Sequence, residues 1–335
     1  MGAEWPLNAN TKAVGITIRD LEVVYSTGQG QVPAVNGVDL DIAGGQITGI
    51  IGESGSGKST LAMAIMNAVP HPGRIVKGSV VVDGVGNMLT LDKESQRRAR
   101  GRNLGFVFQA AQNSLNPLTR VGHQVLDLGR SHNVRDLRGL LRRAKELLHR
   151  MGMDADRVLT AYQHELSGGM RQRVGIMFAL VLDAQVVILD EPTTALDMLS
   201  QASVLEIVRS IHEERNITTI LITHDMGVVA DLADRVVVMY GGELAEEGET
   251  AEVLAHPAHP YTKGLIRAIP RISGDLSQAV ALSGSPPDLK TFMQSGCLFY
   301  DRCPEQVAEC QVKRPPYESA GPERKVACFR VMPHD

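Results

Sequence analysis

The sequence has few aromatic residues and no excess of basic charge. Aromatic side chains make up 4% of the 335 residues, with one tryptophan, and 34 Lys and Arg stand against 38 Asp and Glu, so the net charge is −4. Proteins that wrap nucleic acid usually carry a basic excess, and proteins that bind single strands stack the bases on aromatic rings. Nucleic-acid binding is therefore disfavoured as the main function.

The sequence also lacks a long apolar run and a secretory signal. The longest apolar candidate, residues 175–189, is interrupted by Asp183 and Gln185 and falls short of the ~18 apolar residues of a membrane span. Residues 1–12 contain no apolar core of a signal peptide. We therefore expect a cytosolic chain, with about two domains at roughly 150 residues each.

Cysteine is absent from the first 296 residues, and all four cysteines lie in the last 39, at Cys297, Cys303, Cys310 and Cys328. In a cytosolic chain this grouping predicts a metal or cluster site rather than disulfides. The gaps of five, six and seventeen residues lack the C-x₂-C pairs of zinc ribbons, whereas iron–sulfur clusters accept more varied spacing. Four structural thiols in a small core are the alternative.

Continuous apolar runs recur between residues 46 and 239. They suit strands buried on both faces of a parallel sheet, and they occur at 46–51, 186–189, 217–222 and 236–239. Helical patterns such as 202–214 lie between them, which predicts the α/β class. Alternating runs at 16–25 and 35–42 predict earlier strands, and proline-rich breaks after about residue 255 predict a small loop-rich module.

A stripe of arginines accompanies a leucine pattern of helical spacing in residues 130–152. Its members are Arg135, Arg138, Arg142 and Arg143. Such a stripe could contact nucleic acid, but the composition favours a solvated helix face.

A glycine-rich loop stands between an apolar strand and a stretch of good helix formers. Residues 52–59 read Gly-Glu-Ser-Gly-Ser-Gly-Lys-Ser, which matches the phosphate-loop pattern G-x-x-x-x-G-K-[ST]. Glycines let successive N–H groups point into one concavity, and the next helix adds its positive end. The loop predicts a nucleotide site formed by Gly52, Ser54, Gly55, Ser56, Gly57, Lys58, Ser59 and Thr60, with Lys58 on the phosphates and Ser59 on Mg²⁺.

Two carboxylates, Asp190 and Glu191, follow the apolar run at 186–189. Ligands of open α/β sheets bind at the carboxyl ends of the strands. Because neighbouring side chains on a strand point to opposite sides, we expect the two carboxylates to have different roles. Asp190 would hold Mg²⁺, and Glu191 would polarise an attacking water.

Further motifs resemble those of ATP-binding cassette (ABC) ATPases in their order and spacing. They are the signature at 166–173, a Q-loop at Gln109, a D-loop at 194–197, a switch histidine at His224 and an aromatic for adenine at Tyr25. The resemblance covers about residues 14–255. It implies an α/β P-loop NTPase fold: a parallel sheet with helices, an N-terminal antiparallel β subdomain and a helical signature subdomain, followed by a small Cys-rich module at 256–335.

The resemblance also implies roles for these residues. Glu191 would be the general base, and His224 and Gln109 would sense the γ-phosphate and Mg²⁺, the metal being held by Ser59, Gln109 and Asp190. The signature residues Ser167, Gly168 and Gly169, with Asp197, would act on ATP bound by a second ABC ATPase subunit, identical or paralogous. ATP would then be both substrate and the link between two cassettes.

The chain length excludes some branches of the family. Only 56 residues separate Gln109 from Leu166, too few for the coiled-coil chromosome ATPases, and the chain has a single cassette, unlike ABC translation factors. A transporter subunit is the best fit. The family then implies two transmembrane permease subunits, one helix of which would dock on 110–118, a position at the cytoplasmic face of the inner membrane, and no nucleic acid.

Three segments resemble the dipeptide/oligopeptide (and nickel) importer ATPases: 52–58, 114–117 and 259–265, followed by the Cys-rich element. The resemblance implies import of di- or oligopeptides delivered to the permeases by an extracytoplasmic solute-binding protein, and a [4Fe–4S] cluster on the four cysteines. An oligosaccharide or nickel importer, or a soluble regulatory or repair ATPase with a redox-sensing cluster, are alternatives. Met198-Leu199 after the D-loop depart from the family's more frequent Val-Thr.

Overall fold

The computed structural model describes residues 13–28, 30–109, 114–194, 196–268, 282–287 and 296–331. These residues form two compact units that alternate along the chain. Within the described ranges, the first unit takes residues 13–16, 42–46 and 81–221, and the second takes residues 17–41, 47–80 and 222–331. Neither unit is therefore one continuous stretch of sequence.

A sheet with one covered face opens the second unit. Its strands are β1 (Ile16–Thr27), β2 (Gly30–Ile42) and β4 (Gly73–Val82), in the order β2-β1-β4. Val38, Leu40 and Ile42 of β2 are buried while the residues between them are exposed, the period-two pattern of a half-covered strand. The two runs predicted within 16–25 form the single strand β1, with an irregularity at Asp20, whose φ is +48°.

The central strands of the second unit are buried on both faces. The strand β3 (Ile47–Ile51) is buried at every position and pairs parallel with β9 (Arg235–Tyr240). On the other side of β9 the pairing is antiparallel, with β10 (Glu243–Glu249), then β12 (Lys325–Val326), then β11 (Glu318–Ser319). The helices of this unit are α1 (Lys58–Ile65), α8 (Met226–Leu232), α9 (Thr250–Ala255), α10 (Pro260–Arg267) and α11 (Ala308–Val312).

Three strands of the first unit follow the order β6-β7-β8: β6 (Leu104–Val107), β7 (Val186–Asp190) and β8 (Thr218–Ile222). β6 and β7 are parallel, and every residue of β7 and β8 is buried, as the apolar runs predicted. A two-residue strand, β5 (Gly86–Asn87), pairs antiparallel with Val81 and Val82.

The helices of the first unit begin at side chains that cap them. They are α2 (Lys93–Arg102), α3 (Val121–Ser131), α4 (Leu137–Arg150), α5 (Ala155–Thr160), α6 (Gly168–Leu180) and α7 (Met198–Arg215). Asp92, Asp136, Asp154, Ser167 and Asp197 accept backbone N–H groups at five of these starts, which satisfies donors that have no partner within the helix. α3, α4 and α5 contact one another, and α4 contacts α6.

The arginine stripe lies on and just before α4, and most of it is solvated. Arg135, Arg138 and Arg142 are exposed, which confirms the interpretation of this stripe as a solvated face. Arg143 is the exception: its guanidinium lies 2.7 Å from the carboxylate of Asp183 and donates to the carbonyl of Val181. Amphipathic spacing alone did not separate this inward arginine from its neighbours.

An aromatic cluster anchors the C-terminal segment of the second unit, the described residues 256–268, 282–287 and 296–331. The rings of Tyr240, Tyr261 and Phe299 have centroids 4.5 to 5.5 Å apart. Tyr261 and Phe299 are almost fully buried, and Met226 and Val253 belong to the same core. Since burial of rings is the largest apolar contribution a side chain makes, this cluster holds the segment around Phe299 against β9.

Candidate functional site

The glycine-rich loop of residues 52–57 connects β3 to α1. Gly52, Gly55 and Gly57 have φ of +150°, +80° and +101°, values that side-chain-bearing residues rarely adopt. A Cβ on Gly57 would lie 2.3 Å from the carbonyl oxygen of Ala34, and one on Gly52 would lie 2.3 Å from that of Met239. The close approach of neighbouring backbone therefore requires glycine at both positions.

Lys58, the first residue of α1, is folded into this loop. Its ammonium donates to the carbonyl oxygens of Gly52 and Glu53, both at 2.8 Å, and contacts Ser56 Oγ at 3.3 Å. The side chain is buried. A positive charge thus lies among the turns of a loop whose N–H groups face an anion in phosphate-binding proteins.

Glu53 is the residue of the loop with the most contacts outside it. Its N–H donates to Tyr261 Oη at 2.8 Å, and its carboxylate receives two hydrogen bonds from Arg302, at 2.7 and 2.9 Å. Glu53 is an unspecified position of the phosphate-loop motif, and no role was predicted for Tyr261 or Arg302. Only the fold brings residues 261 and 302 to residue 53.

The acidic pair lies at the carboxyl end of β7. Asp190 is the last residue of the strand and is buried, whereas Glu191 lies outside the strand with φ of +48°. We expected the two side chains to diverge because neighbouring residues of a strand point to opposite sides. That reason is wrong, since Glu191 lies beyond the strand in a left-handed conformation. Such a conformation costs on the order of 1 kcal/mol in a residue with a side chain, and such strain clusters at functional sites.

Glu191 is held by two hydrogen bonds within the first unit. Gln109 Nε2 donates to its Oε2 at 3.1 Å, and Thr194 Oγ1 donates to the same oxygen at 2.8 Å. The parallel register that places Val107 opposite Leu189 brings Gln109 and Glu191, each two residues further on, to the same edge. The Gln109–Glu191 contact was not predicted, although the adjacent ends of two parallel strands would have been a signal for it.

The signature residues lie at the start of α6. Ser167 Oγ accepts from the N–H of Met170 at 3.3 Å, and Gly168 and Gly169 are the first two helical residues. Ser167 is exposed and the glycines are half-buried. The first N–H groups of a helix have no partner within it and face outward at such a start, which is favourable for an anion.

The D-loop and switch segments are both helix starts. Asp197 caps α7 through Ser200, and these hydrogen bonds, the backbone one first, hold the pKa of Asp197 below its usual value. Asp225 caps α8, and its N–H donates to Thr223 Oγ1 at 3.0 Å. His224 is exposed between them.

Tyr25 lies on β1 in the second unit, with a half-buried side chain. A Cβ on Gly73 would lie 2.7 Å from Tyr25 Cε1 and 2.7 Å from a methyl carbon of Val69. One part of the Tyr25 ring therefore packs on the turn before β4, and its role with adenine stays a prediction.

The predicted docking groove is partly described. Residues 110–113 lie outside the described residues, but Ser114 and Leu115 line a surface cavity of about 190 Å³ together with Phe106, Phe108 and Phe178. Phe108 and Leu118 are exposed although they are apolar.

Known proteins resemble this chain over nearly its whole length. The family model described as ABC transporter matches residues 35–194, and the model of the oligopeptide/dipeptide transporter C-terminal region matches residues 245–310. The dipeptide transport ATP-binding protein DppD of Caldanaerobacter subterraneus is 40% identical over 314 residues, covering 93% of this chain and 96% of the relative. The chain belongs to the ATP-binding proteins of ABC transporters.

A second relative and a solved structure are also ABC transporter proteins. The oligopeptide transport ATP-binding protein OppD of Escherichia coli is 38% identical over 318 residues, covering 95% of this chain and 93% of the relative. A solved dimeric ABC transporter cassette of bacterial type has a TM-score of 0.61 at 28% identity, covering 70% of this chain and 98% of that one. The predicted α/β P-loop cassette fold is therefore confirmed.

The cysteines of this ABC ATPase do not support the predicted Cys-rich metal module. All four line one narrow cavity with His259 and Phe299, and all four thiols are free. Within the described ranges, however, no group of three or more Cys, His, Asp and Glu side chains is arranged to hold a metal ion. Burial raises the pKa of Cys297 to about 11 and also raises the pKa of Cys303 and Cys328.

The described part of the ABC ATPase contains no helix with the length and apolar character of a membrane span.

The magnesium prediction rests on donor chemistry. Ser59 and Asp190 carry oxygen donors, which Mg²⁺ prefers, and Mg²⁺ in nucleotide sites is bound by one or two such groups plus phosphates and water. The metal-binding role of Ser59 and Asp190 stays a prediction.

Proposed function

We propose that this ABC ATPase hydrolyses ATP to drive the import of dipeptides or oligopeptides. The observation that carries the proposal is the likeness to peptide transport ATP-binding proteins over 93 to 95% of the chain, which includes the C-terminal region. The cassette supplies the nucleotide chemistry, and the C-terminal region matches the model named for oligopeptide and dipeptide transporters.

Each motif residue is assigned a task in this function. Lys58 and the N–H groups of the loop neutralise and orient phosphates, because the ammonium already lies among the loop carbonyls. Glu191 accepts a proton from the attacking water, and Gln109 and Thr194 fix its carboxylate. Mg²⁺, when bound, stabilises charge on the phosphates. His224 contacts the γ-phosphate, and Tyr25 stacks on the adenine.

Two cassettes are proposed to close on ATP. Ser167, Gly168 and Gly169, with Asp197, would contact the γ-phosphate held by a second cassette, either a copy of this chain or a paralogue. Shifting an open–closed equilibrium from 1:99 to 99:1 needs roughly 5.5 kcal/mol of differential binding. A triphosphate gripped by two subunits is a source of that free energy, and hydrolysis would remove it.

The transport partners are proposed to be two permease subunits with which this chain associates at the cytoplasmic face of the inner membrane. The exposed apolar residues Phe108 and Leu118 support a docking role for the segment after the Q-loop. A solute-binding protein outside the membrane would deliver the peptide to the permeases.

The test is uptake by the native assembly reconstituted in vesicles. ATP-dependent uptake of labelled di- or tripeptides is expected, and Glu191→Gln in this subunit should abolish it. Uptake of nickel or an oligosaccharide in place of peptides would overturn the peptide assignment. Co-purification with DNA or a transcription factor, without permeases, would overturn transport.

The [4Fe–4S] cluster is a separate proposal for the four cysteines, supported only by their position around one cavity. Anaerobically purified protein with about four iron and four acid-labile sulfide per chain, both lost in Cys310→Ser, would support it. Colourless, iron-free and folded protein would establish the alternative of structural thiols.

A further inference from the structure

Glu53 joins the phosphate loop to the C-terminal segment through its carboxylate and its N–H, while its carbonyl stays within the loop. Its carboxylate receives the two hydrogen bonds of Arg302, its N–H donates to Tyr261 Oη, and its carbonyl accepts from the ammonium of Lys58. The same carbonyl also accepts from the N–H of Ser56 at 3.2 Å. Glu53 is therefore one of the residues that hold the Lys58 ammonium in place, together with the carbonyl of Gly52 and Ser56 Oγ.

Arg302 is committed to this contact. The side chain is 5% exposed, and besides Glu53 its guanidinium donates to Tyr240 Oη at 3.2 Å and to the carbonyl of Ser283 at 2.8 Å. The guanidinium also lies over the rings of Tyr240 and Phe299, 5.7 and 5.8 Å from their centroids. The hydrogen bonds to Glu53 raise the pKa of Arg302, so the charge is permanent and its geometry is fixed by five groups.

Tyr261 is equally fixed. Its ring is fully buried in the aromatic cluster, and burial raises the pKa of its hydroxyl. The neutral hydroxyl is thus a lasting acceptor for the N–H of Glu53. Tyr261 belongs to α10 and Arg302 to the turn Tyr300–Arg302, so two separate parts of the C-terminal segment reach one residue of the loop.

Charge adds a second reason for the contact. A carboxylate in a loop that binds phosphate repels the anion, and the repulsion is strong where water is excluded. Arg302 neutralises Glu53 through a bidentate pair, the strongest geometry available to these two side chains. Removing Arg302 would leave both a mobile Glu53 and an unpaired negative charge beside the phosphates.

We propose that Arg302 and Tyr261 are positioning residues for ATP binding: the C-terminal segment holds Glu53, and Glu53 holds Lys58 and the loop in the form that accepts a triphosphate. The proposal rests on the proposed function, since it concerns the same nucleotide site. It assigns to the C-terminal segment a task within the nucleotide site as well as its place in the fold.

The experiment measures ATP affinity of the full chain with a fluorescent ATP analogue, alongside thermal unfolding of each variant. Arg302→Met should weaken binding about tenfold, in line with coupling between contacting residues. Adding Glu53→Gln to Arg302→Met should recover only the part of the affinity that the unpaired charge had cost, because the hold of Arg302 on residue 53 is still missing. Tyr261→Phe, which deletes one hydroxyl, should weaken binding a few-fold with little change in Tm.

The matched control is Lys263→Met, which breaks the Lys263–Glu305 ion pair in the same segment, 2.9 Å long and without contact to the loop. Its ATP affinity should equal that of the wild type. Should Arg302→Met fail to fold, Arg302→Lys and Tyr261→Phe carry the same test.

Two results would overturn the positioning role: ATP affinity within twofold of wild type in the Arg302 and Tyr261 variants, or an equal loss in Lys263→Met. A double variant no better than Arg302→Met would refute the charge argument. Wild-type protein that binds no ATP would instead overturn the proposed function, which separates the two failures.

Discussion

Glu191 combines three features that rarely coincide in a residue without function. It follows a fully buried strand, has φ of +48°, and receives hydrogen bonds from Gln109 and Thr194 on one carboxylate oxygen. A general base needs such a fixed orientation within hydrogen-bond reach of its proton.

Replacing Glu191 by Gln should leave ATP binding intact and lower the ATPase rate about 100-fold or more, the usual contribution of a general base. The amide keeps the shape and loses the ability to accept the proton. Steady-state phosphate release, with ATP binding measured in parallel, checks this. Glu213→Gln, an exposed position of α7, is the control, and a near-normal rate in Glu191→Gln would remove the assigned role.

Lys58→Ala should weaken ATP binding about tenfold or more, because a hydrogen bond to a charged group contributes about 1.5 to 3 kcal/mol. Equilibrium titration with an ATP analogue is the measurement, and the surface substitution Lys145→Ala on α4 is the control. Unchanged affinity in Lys58→Ala would disprove the phosphate site at this loop.

At the scale of elements, the buried strands were predictable and many helices were not. The runs at 46–51, 186–189, 217–222 and 236–239 became β3, β7, β8 and β9 with shifts of one residue at most. Their apolar continuity reflects burial on both faces, a signal that needs no tertiary information. Short helices such as α5 and α9 have too few turns for a periodic signal.

The phosphate loop offers a test of element geometry. Gly55 and Gly57 both have positive φ, but only a Cβ on Gly57 would collide with backbone, at Ala34. Gly55→Ala should therefore cost about 1 kcal/mol of unfolding free energy from strain alone. Gly57→Ala should cost clearly more, since strain and collision add.

Chemical denaturation of the two glycine variants makes the comparison. Equal losses at the two positions would show that the contact with Ala34 relaxes at little cost.

At the scale of the whole molecule, stability should depend on the charge of a buried histidine. His132 is 7% exposed, and burial, followed by the nearby Arg97 and Arg102, lowers its pKa. The unfolded chain then binds a proton at a pH, about 6.5, where the folded chain does not. The free energy of unfolding should therefore fall as the pH falls below about 6.5.

Denaturation at pH 7, 6 and 5 checks this dependence, and His132→Gln should flatten part of the slope. The exposed His149→Gln on α4 should not. An unaltered slope in His132→Gln would show that other groups dominate acid sensitivity.

The local structure of the candidate site was predictable where one stretch of sequence carries the motif, as in the loop at 52–59, which lies between a strand and a helix as expected. It was not predictable where distant residues meet, as at Glu53 with Tyr261 and Arg302, or at Gln109 with Glu191. The four cysteines line one cavity, as their grouping in the sequence suggested, but among the described residues no three Cys, His, Asp or Glu side chains are arranged to hold a metal ion. Spacing reports which ligands are near in sequence, whereas coordination depends on where the side chains point.

The sheet of the second unit ends in β12 and β11, each only two residues long, which follow Pro315 and Pro316. A longer terminal strand would present a row of open backbone donors and acceptors to any other chain. Truncating the chain before residue 318 would remove β11 and β12. The backbone groups of β10 would then be open to pairing with another chain. Truncated forms should therefore aggregate even if they still fold.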